Sequence, residues 1–213
     1  MGAVESSTES RSETLKASPR MFDSAILDRL SRVHPIVPVL IFLPAIVGLA
    51  VAGGLGTGPL AAVAWFAGGW LFWTLTEYWL HRIVFHFDAD NRLVHRMHFI
   101  IHGVHHDHPN DPLRLVMPPG ASIPLASLFL LAFWAILPAG AWMVFGAGFL
   151  AGYLTYDMLH FHVHHHKPTT RLGRKLRELH MRHHFQDHTT GFGVSAPFWD
   201  HVFGTKPKRR TGA

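Results

Sequence analysis

The chain has 213 residues, no cysteine, 48% apolar and only 15% charged residues, which is poor for a soluble surface and ordinary for one membrane domain. Lacking cysteine, it cannot form disulfides, thiolate zinc sites or iron–sulfur clusters of its own. A net charge of +5 does not make it a nucleic-acid binder, because Lys and Arg are absent from 33–81 and 115–166, where the only acidic residues are Glu77 and Asp157.

In chain order, residues 1–20 are polar and Ser/Glu/Arg-rich, without the apolar core of a secretory signal, and are expected to be a disordered tail. Residues 21–205 are expected to form the membrane domain, and 206–213 a solvated basic tail touching anionic lipid. Phe22, Ile26 and Leu30 recur at spacing four beside Arg29 and Arg32, which predicts a short interfacial helix over 22–34. A first apolar span covers 35–52 and ends at the glycine-rich turn 53–59. A second covers 60–80. Residues 81–119 are polar, His-rich and helical up to DHPNDP. A third span covers 120–137, and after LPAG a fourth covers 141–156. The last two are short for a hydrocarbon core that takes about 20 helical residues, and read either as full spans with helical extensions or as a shallower hairpin. The expected fold is therefore all-α and polytopic, with about four transmembrane helices. Neither turn, 53–59 or 137–140, carries Lys or Arg, so the positive-inside rule puts the termini and the histidines on the cytoplasmic side as a helical cap.

Eighteen of the nineteen histidines lie between His81 and His201, mostly in tight groups. Neutral imidazole is the commonest metal ligand, and helical spacing i, i+3, i+4 aims several rings from one face. His102, His105 and His106 have that spacing, as do His180, His183 and His184, and His160 and His164 form an i, i+4 pair. His81 and His86 are five apart, about 140° around an ideal helix, and need a kink or a helix end to converge. These ten are too many for one tetrahedral zinc and suit two metals with open positions; an all-nitrogen set favours iron, with zinc able to displace it in preparations. His34, His95, His98, His108, His162, His165, His166, His188 and His201 fall off the pattern and are read as supporting or surface residues. A histidine-rich storage tract would be local and low-complexity, not split by hydrophobic spans.

With EYWLHRIVFHF (77–87), HGVHHDHPNDPLRLVMPP (102–119), YDMLHFHVHH (156–165) and HMRHHFQDHTTGFGVSAPFWDHVFGT (180–205), the chain resembles the fatty acid hydroxylase superfamily, nearest its fatty acid 2-hydroxylase branch. The resemblance implies a di-iron site on His81, His86, His102, His105, His106, His160, His164, His180, His183 and His184. It also implies O2 activation with two electrons, and hydroxylation of a fatty acyl lipid at carbon 2. Members of that branch often carry a cytochrome b5 domain, which the 34 residues before the first span cannot hold. The expected electron donor is therefore a separate protein: cytochrome b5-like, a ferredoxin or a reductase. Candidates for a substrate clamp are Arg114, Tyr153 and Tyr156, with Arg114 reading equally well as a snorkelling interfacial arginine paired with Asp111. Asp157 joins Tyr156 at the reacting end, where it would orient a ligand histidine, and Glu77, four before His81, has the same expected role. TTGFGV (189–194) reads either as a loop beside the site or as an ordinary turn. The competing readings are a sterol- or carotenoid-type hydroxylase or desaturase, and a metal-binding or transport protein. Transport would call for ionisable residues inside the spans, where only Glu77 and Asp157 come near.

Overall fold

The computed structural model describes residues 10–86 and 91–208, all helix and loop. The helices are α1 (Arg11–Lys16), α2 (Ala25–Leu30), α3 (Ile36–Gly54) and α4 (Pro59–Trp79), which continues as a π-helical turn, Leu80–Phe85. Helix α5 (Arg92–His98) runs through a second π-helical turn, Phe99–Gly103, into α6 (Val104–Asp107). Then come α7 (Pro119–Ile136), α8 (Ala141–His165), α9 (Arg171–Phe185) and α10 (Phe198–Val202). Proline opens α4 and α7 at the first helical positions, where its missing N–H costs nothing.

Among the described residues, three helices are long and apolar enough to cross a membrane: Ile36–Gly54, Pro59–Phe85 and Pro119–Ile136. The fourth expected span corresponds to α8, whose apolar run is diluted by glycines, tyrosines and Asp157. It is the central helix of the bundle, packed on α3, α4 and α7, and so has little lipid to face. It runs 25 residues, to His165, which is the extended span of the two expected readings, so a single rigid rod carries the core at one end and histidines at the other.

Glycines on α8 and on α4 permit that centrality. A Cβ at Gly148 would stand 2.0 Å from the Phe66 carbonyl oxygen, one at Gly69 1.9 Å from that of Phe145, and one at Gly152 2.6 Å from the Trp73 Cβ. Helices in a membrane gain little from hydrophobicity against one another, so close backbone approach through small residues supplies the packing. Around the contact, Trp73, Phe149 and Tyr153 meet edge to face, with ring centroids 5.2 Å apart in both pairs.

The expected disordered tail is folded from Ser10 onward. A capping box at Ser10 and Glu13 starts α1. The Leu15 carbonyl accepts from the Asn110 amide at 3.0 Å, and that of Thr14 meets His108 Nδ1 at 2.6 Å. Polar composition hid this because the partners lie about 95 residues away, in the 108–118 turn. The interfacial helix is the single turn α2, with Ile26, Leu27 and Leu30 exposed. Residues 1–9 and 209–213 of the two expected tails lie outside the described residues. Gly148→Ala is expected to cost about 1–3 kcal/mol by overpacking α8 on α4. Thermal unfolding in detergent measures this, with Gly54→Ala, which meets nothing within 4 Å, as the control.

Candidate metal centre

The ten patterned histidines form two groups of five whose candidate ligand nitrogens lie within 4.8 Å of one another. One group is His81, His86, His102, His106 and His183; the other is His105, His160, His164, His180 and His184. Helical geometry explains the division. At 100° per residue, i+4 lies about 40° to one side of residue i and i+3 about 60° to the other. His102 and His106 therefore serve one group while His105 turns to the second. His180 and His184 serve the second while His183 turns back to the first. Each HxxHH motif thus spans both groups.

The spacing of five at His81 and His86 is met where the helix ends, as expected, through a π-helical turn, Leu80–Phe85, with His86 as its C-cap. A π turn closes its hydrogen bonds at i to i+5 and so holds more residues per turn than an α-helix, which narrows the angle between residues five apart; these two rings stand 5.0 Å apart between centroids.

The rings suit cations. Buried Nε2 atoms of His81, His86, His105, His160 and His183 have no hydrogen-bond partner among the described residues. Other Nε2 atoms face each other: 3.0 Å for His102 and His106, 2.7 Å for His164 and His180, 3.1 Å for His180 and His184. Two imidazoles bound at right angles to one ion at about 2.1 Å would hold their nitrogens about 3.0 Å apart.

Segment 189–194 is the loop beside the site rather than an ordinary turn. Nδ1 of His81 lies 2.7 Å from the Phe192 carbonyl oxygen, and Nδ1 of His183 2.7 Å from that of Thr190. Donation from Nδ1 fixes the tautomer that leaves Nε2 free as a ligand. Glu77 does not orient a histidine. Its carboxylate accepts the Ser195 amide at 2.8 Å and the Ser195 hydroxyl, tying α4 to this loop. Asp200, which spacing could not single out because it acts on backbone, accepts the amides of Phe192 and Gly193.

The candidate substrate residues lie at the start of this centre. Tyr156 is buried with its ring 5.5 Å from that of His160. Asp157 accepts the Tyr153 hydroxyl at 3.2 Å and faces the Met117 amide, so it orients a tyrosine and not a ligand histidine. Beside them is a narrow apolar cleft between α4, α7 and α8, lined by Trp73, Met117, Ser122, Leu125, Phe129 and Tyr153 among others. Arg114 stands apart from the expected clamp. Its side chain is only 2% exposed, 3.0 Å from Asp28 and 4.0 Å from Asp111. The two carboxylates pair with this one cation, which joins α2 to the 108–118 turn, while its Nε and Nη1 have no hydrogen-bond partner among the described residues.

Burial above all holds His86 down to about 3 and His183 to about 4, and pushes His102, His105 and His184 well below the usual imidazole range. The folded protein keeps these rings neutral, while the unfolded chain takes up protons near pH ~6.5. Stability is therefore full above that pH and is lost as pH falls toward 4 and 3. Melting temperatures of the metal-free protein should decline on acidification below pH ~6.5; a flat profile would contradict the buried neutral cluster.

The fatty acid hydroxylase family model matches residues 66–205. The dihydroceramide fatty acyl 2-hydroxylase FAH2 of Arabidopsis thaliana is 35% identical over 203 residues, covering 92% of this chain and 83% of the relative. The ceramide very long chain fatty acid hydroxylase SCS7 of Saccharomyces cerevisiae is 41% identical over 174 residues, 80% of this chain and 44% of the relative. A solved structure of full-length scs7p, in which only the hydroxylase domain is visible, matches with a TM-score of 0.83 at 37% identity, covering 88% of this chain and 72% of that one. With an all-helical membrane fold and histidine clusters able to hold metal, this chain belongs to the fatty acid hydroxylase family and is an oxidoreductase of lipid metabolism.

Proposed function

We propose that the protein is a di-iron monooxygenase that hydroxylates fatty acyl chains at carbon 2, with its termini and histidine cap on the cytoplasmic side. The observation that carries this reading is an apolar cleft beside the histidine groups: Trp73 and Tyr153 line it, and Tyr156, whose ring lies 5.9 Å from that of Trp73, stands 5.5 Å from His160. An acyl chain entering from the leaflet between α7 and α8 would bring its carboxyl end, and the adjacent carbon, to the histidines. The names of the relatives, which act on ceramide and fatty acyl groups, support the same substrate class.

The ten histidines would hold two iron ions, for which zinc can substitute in preparations. When bound, the irons supply O2 activation, drawing two electrons from a separate donor of the cytochrome b5, ferredoxin or reductase type. The chain's own residues bind, orient and exclude water. The buried ring of Tyr156 faces the reacting end, and the Tyr153 hydroxyl, held by Asp157, marks where the apolar cleft turns polar.

Expression in a host should raise 2-hydroxy acyl chains in hydrolysed total lipid, read by mass spectrometry, and His183→Ala should abolish the rise. No rise with the intact protein would remove the 2-hydroxylase reading. Asp157→Asn is expected to lower product about 10- to 100-fold through misplacement of Tyr153, while metal analysis still finds about two ions per chain. Loss of metal together with product would instead mark Asp157 as part of the metal centre.

A further inference from the structure

One buried carboxylate lies outside the reaction as proposed yet organises half of the metal centre. Asp200 is 2% exposed and sits in the short helix α10. Its Oδ1 accepts the Phe192 amide at 2.9 Å and the Thr205 hydroxyl at 2.8 Å; its Oδ2 accepts the Gly193 amide at 3.0 Å. Thr205 in turn bonds the Tyr78 hydroxyl at 2.9 Å on α4, and its carbonyl accepts the Gly191 amide at 2.8 Å. The loop is wrapped so closely that a Cβ at Gly193 would stand 2.5 Å from the Ala196 carbonyl oxygen and 3.1 Å from Asp200 Oδ2. Gly191 takes φ +80°, which other residues rarely adopt.

That loop holds only one of the two histidine groups. The Phe192 and Thr190 carbonyls capture His81 and His183, both of the group with His86, His102 and His106. In the second group, His180 and His184 keep buried Nδ1 atoms with no partner among the described residues. A ligand ring already held in its tautomer and angle loses less freedom on binding than one held by packing alone.

We propose that Asp200 is a positioning residue for His81 and His183, and that the two metal sites are therefore unequal, the site containing these histidines binding its ion more tightly. The inference rests on the reading of both groups as metal sites. Asp200 never touches metal or substrate. It sets the backbone carbonyls that set the rings. Asparagine at this position keeps the shape but turns an NH2 group toward one of the two loop amides, so one acceptor is lost.

The test is a Co2+ titration of the full chain, metal-depleted in detergent micelles, followed by the visible absorbance of the bound ion and checked by metal analysis. The wild type should fill in two separable steps. His164→Ala should remove the weaker step and His183→Ala should damage the tighter one. Asp200→Asn should weaken the tighter step about 10- to 100-fold, as loss of an outer-shell partner does, and leave the weaker step in place. Thr205→Val, which removes one of the three bonds to Asp200, should act in the same direction by a few-fold and serves if Asp200→Asn does not fold. Filling of both wild-type sites in one step overturns the inequality. Parallel weakening of both steps, or an unchanged tight step in both variants, overturns the role of Asp200. If neither histidine variant alters the titration, the metal reading itself fails, which is a separate result.

Discussion

Ten imidazoles turned toward two common points form the constraint on which the rest of this structure depends. Each ring must be neutral to offer a lone pair, and neutrality here comes from burial, which disfavours the protonated form. Burial, however, leaves no water to satisfy the second ring nitrogen. The fold meets that requirement for His81 and His183 with backbone carbonyls from one loop. Metal chemistry, ring tautomer and the path of residues 189–197 are thus parts of one problem.

Helix α8 links this cap to the membrane core. Its first half is packed so tightly on α4 that glycine is the only residue fitting at Gly148 and Gly69. Its second half carries His160 and His164 with no break in the helix. Displacing α8 against α4 would therefore also move histidines of one group relative to His81 and His86 of the other. Tyr153, which lines the apolar cleft, and Tyr156, whose ring packs on that of Trp73, lie where the two halves meet. Position along this one rod orders the protein as hydrocarbon, cleft, polar contact and metal.

Carboxylates in this protein serve as struts. Glu77 and Asp200 accept backbone amides of the loop that supports His81 and His183. Asp28 ties Arg114 to the N-terminal segment, and Asp157 holds Tyr153. Keeping negative charge off the rings leaves both groups all-nitrogen.

Much of this was legible in the chain. The gaps in Lys and Arg marked the apolar helices, and local spacing selected the same ten histidines that the fold brings together, because a helix decides by itself which side chains share a face. Spacing could not divide them. Residues i+3 and i+4 lie on opposite sides of residue i, and which side meets which group depends on where neighbouring helices place their own rings. For the same reason the convergence of His81 and His86 awaited a π turn, the place of α8 at the centre of the bundle was not visible in its composition, and Arg114 found Asp28 from the distant N-terminal segment. Local periodicity and composition are properties of the sequence alone. Partnership across tens of residues, above all the use of backbone carbonyls and carboxylates to hold the ligand rings, exists only once the chain has folded back on itself.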